Sequence, residues 1–156
     1  PYPGGPLIDR YAKEGDPLTF EFPVSNMPGL NYSFSGIKTA ILYFIQKQVA
    51  QNPRFIEDNL NDLCASIQYA IIKQLMKKVV LAAKQTGIRQ VALAGGVSAN
   101  SALRLALEEE GKKRGWKTFI PAFEYCTDNA GMIAIAAHYK YLAGDFVGQE
   151  IAPYAR

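Results

Sequence analysis

Three short stretches carry residues able to do chemistry. The first is Leu93 to Asn100, LAGGVSAN, where an apolar run ends in two glycines and hands over at once to Ser–Ala–Asn. Glycine permits positive φ and has no Cβ, and a helix beginning there presents free N–H groups. The pair is therefore either a compact structural turn or a cradle for an anion or nucleotide. Asn100 falls in the first helical turn, and its amide is expected to point back into the same pocket. An amide donates and accepts, which suits a ribose or a base edge. The second stretch, CTDNAG, repeats the arrangement, with Thr127 or Asp128 at a helix start after a strand. Asp128 reads either as an N-cap or as a carboxylate that ligates a metal or places substrate. One Asp cannot hold an ion, and the chain offers few further ligands. His138, about three helical turns further on, cannot join Asp128 at one ion from a straight helix and is read as structural. The third stretch is YPGGP followed by Asp9. It is either a surface helix with a tight first turn, or a pocket with Gly5 as its wall and Asp9 accepting hydrogen bonds from hydroxyls. Three Gly-or-Asp helix starts in so short a chain fit a nucleotide site better than three accidents.

The elements that must position these residues follow from hydrophobic spacing. Pro6 suits a first helical position, with Leu7, Ile8 and Tyr11 on one face and Gly15 as the stop. Residues 17–34 form a Pro-punctuated connector in which LTFEF alternates and predicts a short strand. Ser35 is expected to cap a helix carrying Ile37, Ile41, Phe44, Ile45 and Val49, broken at Asn52–Pro53. Glu57 to Thr86 reads as one long helix with Leu60, Leu63, Cys64, Ile67, Ile71, Leu75 and Val79 on one face, ended by Gly87. IRQVALAGG is of strand length, and its lack of alternation predicts a strand covered on both faces of a parallel or mixed sheet. A helix from Ser98 to about Lys113 follows, with Leu103, Ala106 and Leu107 inward. GWKTFIPAF supplies a second strand, and a helix rich in small residues begins near Thr127. The expected class is α/β, helix-rich, with a small sheet. Two strands make a poor sheet alone, so the missing strands are expected in chain that precedes Pro1.

The bulk properties narrow the choice of function. The chain has 156 residues, with 49% hydrophobic and 20% charged, ordinary for a globular domain. No apolar run approaches the ~18 residues of a membrane span. PYPGGPLIDR is neither a signal nor a transit peptide and lacks an initiator Met, so the chain is expected to be an excised piece of something longer. The net charge of +3 is mild. The clusters at Lys77–Lys78 and at Lys112, Lys113, Arg114 and Lys117 are read as solvated helix ends rather than phosphate contacts. Cys64 and Cys126 fit neither a zinc spacing nor a disulfide framework. Cys64 is placed in the core, and a reducing, cytoplasmic compartment is expected.

YPGGPLID, PGLNYSFSGIKTA, LAGGVSANSALR and FEYCTDNAGMIA, four ordered motifs over nearly the whole chain, together resemble the C-terminal half of the TsaD family (the Kae1/Qri7/YgjD group, once labelled O-sialoglycoprotein endopeptidase or glycoprotease). The resemblance implies one lobe of the two-lobed actin-like ATPase (ASKHA) fold. Residues 1–156 would be a single C-terminal-lobe fragment. Within it, 1–52 would be linker and the start of a helical insertion, 53–87 a long helical segment, and 88–144 a strand–helix–strand–helix core. It also implies transfer of a threonylcarbamoyl group from threonylcarbamoyl-AMP to N6 of adenosine 37 in tRNAs reading codons that start with A, with TsaB and TsaE as partner proteins. Carried over by position, Gly5, Asp9 and Asn100 are expected to contact the adenylate, and Asp128 to bind one divalent metal, iron or zinc. The family's two metal-binding histidines, its phosphate-side loop and a further substrate aspartate have no counterpart here, since His138 is the single histidine. The fragment alone is therefore expected to bind metal and adenylate weakly and to be inactive, and no residue is assigned as catalytic. The rival readings are a lobe of an actin-like kinase or ATPase, and a non-catalytic assembly module resembling TsaB, against which the complete CTDNAG and GGVSAN motifs speak. A metallopeptidase would need an HExxH that the chain lacks.

Overall fold

The computed structural model describes residues 3–24 and 27–152. In chain order its elements are α1 (Gly4–Ala12), α2 (Phe34–Gln51), α3 (Phe55–Asp58), α4 (Leu60–Thr86), β1 (Gln90–Ala92), α5 (Ser101–Arg114), β2 (Lys117–Phe119) and α6 (Ala130–Leu142). Short 3-10 turns occupy Gly96–Ala99 and Phe123–Tyr125. The result is helix-rich, with one small parallel sheet in which Gln90, Val91 and Ala92 pair with Lys117, Thr118 and Phe119.

The 27-residue α4 is the spine, because its apolar residues recur at helical spacing over more than one face. Its first half closes a core of Phe22, Ile37, Leu63 and Ala70, against which Phe20, Ile41, Phe44 and Ile45 pack. The aromatic rings there meet edge-on, Phe22 to Phe44 at 5.3 Å and Phe20 to Phe55 at 5.6 Å between centroids, the geometry that ring quadrupoles favour. The second half joins Met76 to Leu103 and Leu107 of α5, with Val91 of β1 and Ile120 just after β2. The expected inward positions of α5 are thus confirmed. Gly87 ends α4 with φ 71°, a left-handed cap that glycine adopts without steric cost. Cys64 is buried as expected.

Several local expectations are corrected. The pattern from Glu57 onward is split at Asn59, whose Nδ2 donates to the Phe55 carbonyl at 2.9 Å. LTFEF forms no strand. It runs through a turn and a bend beside α4, where the Phe20 N–H donates to Ser66 Oγ at 3.1 Å and Phe22 enters the core. Its alternation is real, but its partner is a helix face. Ser33, not Ser35, precedes α2; Ser35 is inside the helix, and its carbonyl accepts from Thr39 Oγ1. β1 is not covered on both faces: Val91 is half-buried while Gln90 and Ala92 are exposed. Lys78 is no solvated helix end. It is buried in the middle of α4 and donates to the Met27 carbonyl at 2.6 Å and to that of Gly29. Lys112, Lys113 and Arg114 do lie in the last turn of α5, where cations suit the helix dipole.

No helix among the described residues is long and apolar enough to cross a membrane. α6 is apolar yet buries none of its residues, leaving Ile133, Ile135 and Leu142 exposed.

Candidate functional site

The two glycines of LAGGVSAN do different things. Gly95 has φ 80° and ψ 178°, a conformation essentially confined to glycine. It turns the chain out of the sheet, and the fully buried Ser98 locks the turn by donating its hydroxyl to the Gly95 carbonyl at 2.6 Å. Gly96 has no positive φ. It lines a cleft of about 490 Å³ together with Gly5, Pro6, Asp9, Val97, Ala99, Asn100 and Phe123. A Cβ added at Gly5 or Gly96 would meet nothing within 4 Å, so at both positions glycine widens the cleft rather than relieving a contact. Gly95 thus makes the anticipated turn, and Gly96 beside it lies at the cleft.

Gly5 and Asp9, near the start of the chain, and Asn100, some ninety residues later, line one cavity; the expectation that Asp128 shares that rim with Gly5 and Asn100 is not met, since Asp128 is absent from its lining. The tie is specific. Asp9 Oδ1 accepts from Ser101 Oγ at 2.9 Å, and Oδ2 from the Ser101 N–H at 3.2 Å. A carboxylate at the first N–H of α5 is favoured by the free donors and by the helix dipole. Asn100 is itself the N-cap of α5: its Oδ1 accepts from the Leu103 N–H at 2.8 Å, and its Nδ2 donates to Gln68 Oε1 at 2.6 Å. The expectation that its amide simply points back into the pocket is corrected to that extent. The α-helix begins at Ser101 rather than Ser98, so Asn100 precedes the first turn. The amide is held by helix and spine, and its second N–H is the group left over.

Asp128 stands apart. It is exposed and does not line the cleft, although Phe123, a few residues before it, does. Its reading as an N-cap is overturned. Asn129 caps α6, accepting from the Met132 N–H at 3.0 Å and donating to the Thr127 carbonyl at 2.9 Å. Asp128 therefore has no capping duty, and its carboxylate carries no hydrogen bond or ion pair among the described residues. Nor does it have co-ligands: no group of three His, Cys, Asp or Glu side chains able to hold a metal occurs among the described residues. The donor set of this chain, one exposed carboxylate, does not fit a metal centre by itself. His138 is on the exposed surface of α6, with its ring 5.7 Å from that of Tyr139.

Sequence reasoning passed over Arg104, although it ends the quoted motif LAGGVSANSALR. Its Nη1 donates to the Ser98 carbonyl at 2.7 Å and approaches Cys126 Sγ at 3.6 Å, its Nη2 donates to the Pro121 carbonyl, and its guanidinium lies 4.4 Å from the centre of the Phe123 ring. The available signal was a lone cation in the otherwise uncharged run Ser101–Leu107.

The family model for TsaD, tRNA N6-adenosine threonylcarbamoyltransferase, matches residues 1–135. Curated relatives carrying that name include proteins of Cytophaga hutchinsonii and Christiangramia forsetii, each 58% identical over 100% of this chain, and one of Porphyromonas gingivalis, 51% identical over 99% of it. The chain covers 46% of the length of each of these relatives. The chain belongs to the TsaD family.

Proposed function

We propose that this chain is the C-terminal lobe of an actin-like, two-lobed enzyme that transfers the threonylcarbamoyl group of threonylcarbamoyl-AMP to N6 of adenosine 37 in tRNAs reading codons that start with A. The observation that carries the proposal is the convergence of Gly5, Asp9 and Asn100, distant in sequence, on one cleft beside a helix N-terminus.

In this reading the cleft takes the nucleoside part of the adenylate. Gly5 and Gly96 leave room for the ligand to approach backbone. Asp9 uses one lone pair on each oxygen to hold Ser101, and a carboxylate has about four such sites; those remaining accept ribose hydroxyls. Its side chain is 14% exposed, enough to be reached from the cleft. Asn100, clamped by Leu103 and Gln68, offers its second N–H in a fixed direction. Such preorganisation is what the reaction needs. The attacking amine of adenine is a poor nucleophile because its lone pair is delocalised, while the mixed anhydride is already activated by AMP as leaving group. The protein then acts mainly by placement and charge stabilisation. In the longer protein Asp128, free of capping duty, would be one ligand of an iron or zinc ion whose histidine ligands lie outside this chain. TsaB and TsaE as partners, the tRNA anticodon loop as acceptor and a cytoplasmic setting belong to the same proposal, as does the inactivity of this lobe alone.

The test is Asn100→Asp in the full-length protein. The aspartate still caps Leu103 but loses the amide donor. Modified adenosine in tRNA is expected to form with kcat/KM for the adenylate lowered about tenfold or more. An unchanged kcat/KM would remove the cleft from the substrate site.

A further inference from the structure

Two of the segments lining the cleft are far apart in sequence: the turn Gly96–Asn100, and Phe123 with the chain around it. Among the described residues, no hydrogen bond joins residues 96–100 directly to residues 121–126. What joins them is Arg104. One guanidinium nitrogen donates to the Ser98 carbonyl, in the middle of the first segment. The other donates to the Pro121 carbonyl, where the chain leaves β2. The guanidinium carbon lies 4.4 Å from the centre of the Phe123 ring, a residue that is 62% exposed, and Cys126 Sγ lies 3.6 Å from Nη1. A guanidinium is planar, permanently charged and forked, so it can hold two carbonyls and an aromatic face in one geometry, whereas an ammonium acts as a single point charge. Arg104 is half-buried and, among the described residues, has no carboxylate partner within salt-bridge distance; its charge is met by carbonyls and by the ring.

We propose that Arg104 is a positioning residue for the nucleotide cleft, fixing the Phe123 segment against the turn that carries Asn100. It touches the walls of the cleft but does not line it, so it acts through Ser98, Pro121 and Phe123. The inference rests on the reading of the cleft as the adenylate site. It predicts that loss of the fork loosens the cleft without dismantling the core formed by Leu103, Leu107 and Met76.

The experiment measures binding of AMP, by calorimetry, and KM for the adenylate in tRNA modification, both with the full-length protein. Arg104→Met keeps length and apolar contact but has neither donor. It is expected to raise the AMP Kd and the KM together by about tenfold, since each hydrogen bond lost from a charged donor is worth enough to permit that change. Arg104→Lys, which keeps the charge but gathers its donors on one nitrogen and so loses the fork, is expected to fall between parent and Met. Leu107→Ala, in the same helix but away from the cleft, supplies the comparison for general destabilisation. It should lower the thermal midpoint while leaving Kd within about twofold of the parent. If Arg104→Met does not fold, Arg104→Lys carries the test, with a Kd at least about threefold weaker expected. Parent-like AMP binding in the folded Arg104 variants overturns the proposal. Asn100→Asp is measured alongside. If it loses AMP while the Arg104 variants do not, the positioning role fails and the site stands; if it too binds normally, both readings fall.

Discussion

Replacing Asp9 tests how α1 is fastened to α5. Its carboxylate accepts two hydrogen bonds from Ser101, from the hydroxyl at 2.9 Å and from the N–H at 3.2 Å. The ion pair with Lys13 is longer, at 4.0 Å, and the lysine is 61% exposed, so it contributes at most a few tenths of a kcal/mol. The two Ser101 bonds therefore dominate. Hydrogen bonds to a charged group are worth about 1.5–3 kcal/mol each. Asp9 faces a cleft, however, and in Asp9→Ala water can reach the freed N–H, which discounts the loss. The expected cost is about 2 kcal/mol in local stability at the start of α5, toward the upper end for an N-terminal cap. Hydrogen exchange of the amides of residues 101–104 in the full-length protein reads this directly: about 2 kcal/mol corresponds to about thirtyfold faster exchange. Asp9→Asn keeps an acceptor and should cost about half as much, and so should Ser101→Ala, which removes only the hydroxyl bond. Because Asp9→Ala already breaks that bond, the double variant Asp9→Ala/Ser101→Ala should cost about 1 kcal/mol less than the sum of the singles. Strictly additive losses, or unchanged exchange in Asp9→Ala, would refute the reasoning.

Two other outcomes follow from the packing. A Cβ on Gly15 would lie 2.2 Å from the Asn61 carbonyl oxygen and 2.6 Å from the Asp62 nitrogen, backbone atoms that cannot rotate away. Gly15→Ala should therefore cost roughly 3 kcal/mol or more, seen as a lowered thermal midpoint, and a parent-like midpoint would contradict the close approach of residue 15 to α4. Burial raises the Cys64 thiol above its ordinary value of 9.0. The folded state then holds this proton more tightly than the unfolded state. Its contribution is complete below the unfolded value and is lost as pH rises through the folded one. Stability should fall as pH is raised beyond about 9, less steeply in Cys64→Ala, which thermal melts across that range would show.

The sequence by itself determined most of the helices, the inward face of α5, the strand–helix–strand order and, among the residues that line the cleft, Gly5, Asp9 and Asn100, though not Phe123, and it also pointed to Asp128, which does not line it. These are legible because helical periodicity, Gly87 as a stop and glycine pairs before helix starts act over a few neighbouring residues. Family membership was legible for the same reason: its motifs are local. Tertiary structure alone decided the partners. LTFEF alternates like a strand, yet its Phe20 N–H finds Ser66 on a helix, a choice no alternation encodes. Lys78 looked like a solvated cation until a loop some fifty residues earlier brought its carbonyls over it. In CTDNAG the helix start was expected at Thr127 or Asp128, and the structure puts the cap at Asn129, leaving Asp128 without that duty. Arg104 gains its role only when the turn at Ser98 and the exit of β2 reach it together. Local pattern specifies which elements form, whereas hydrogen bonds between distant segments depend on where the chain places them after those elements pack.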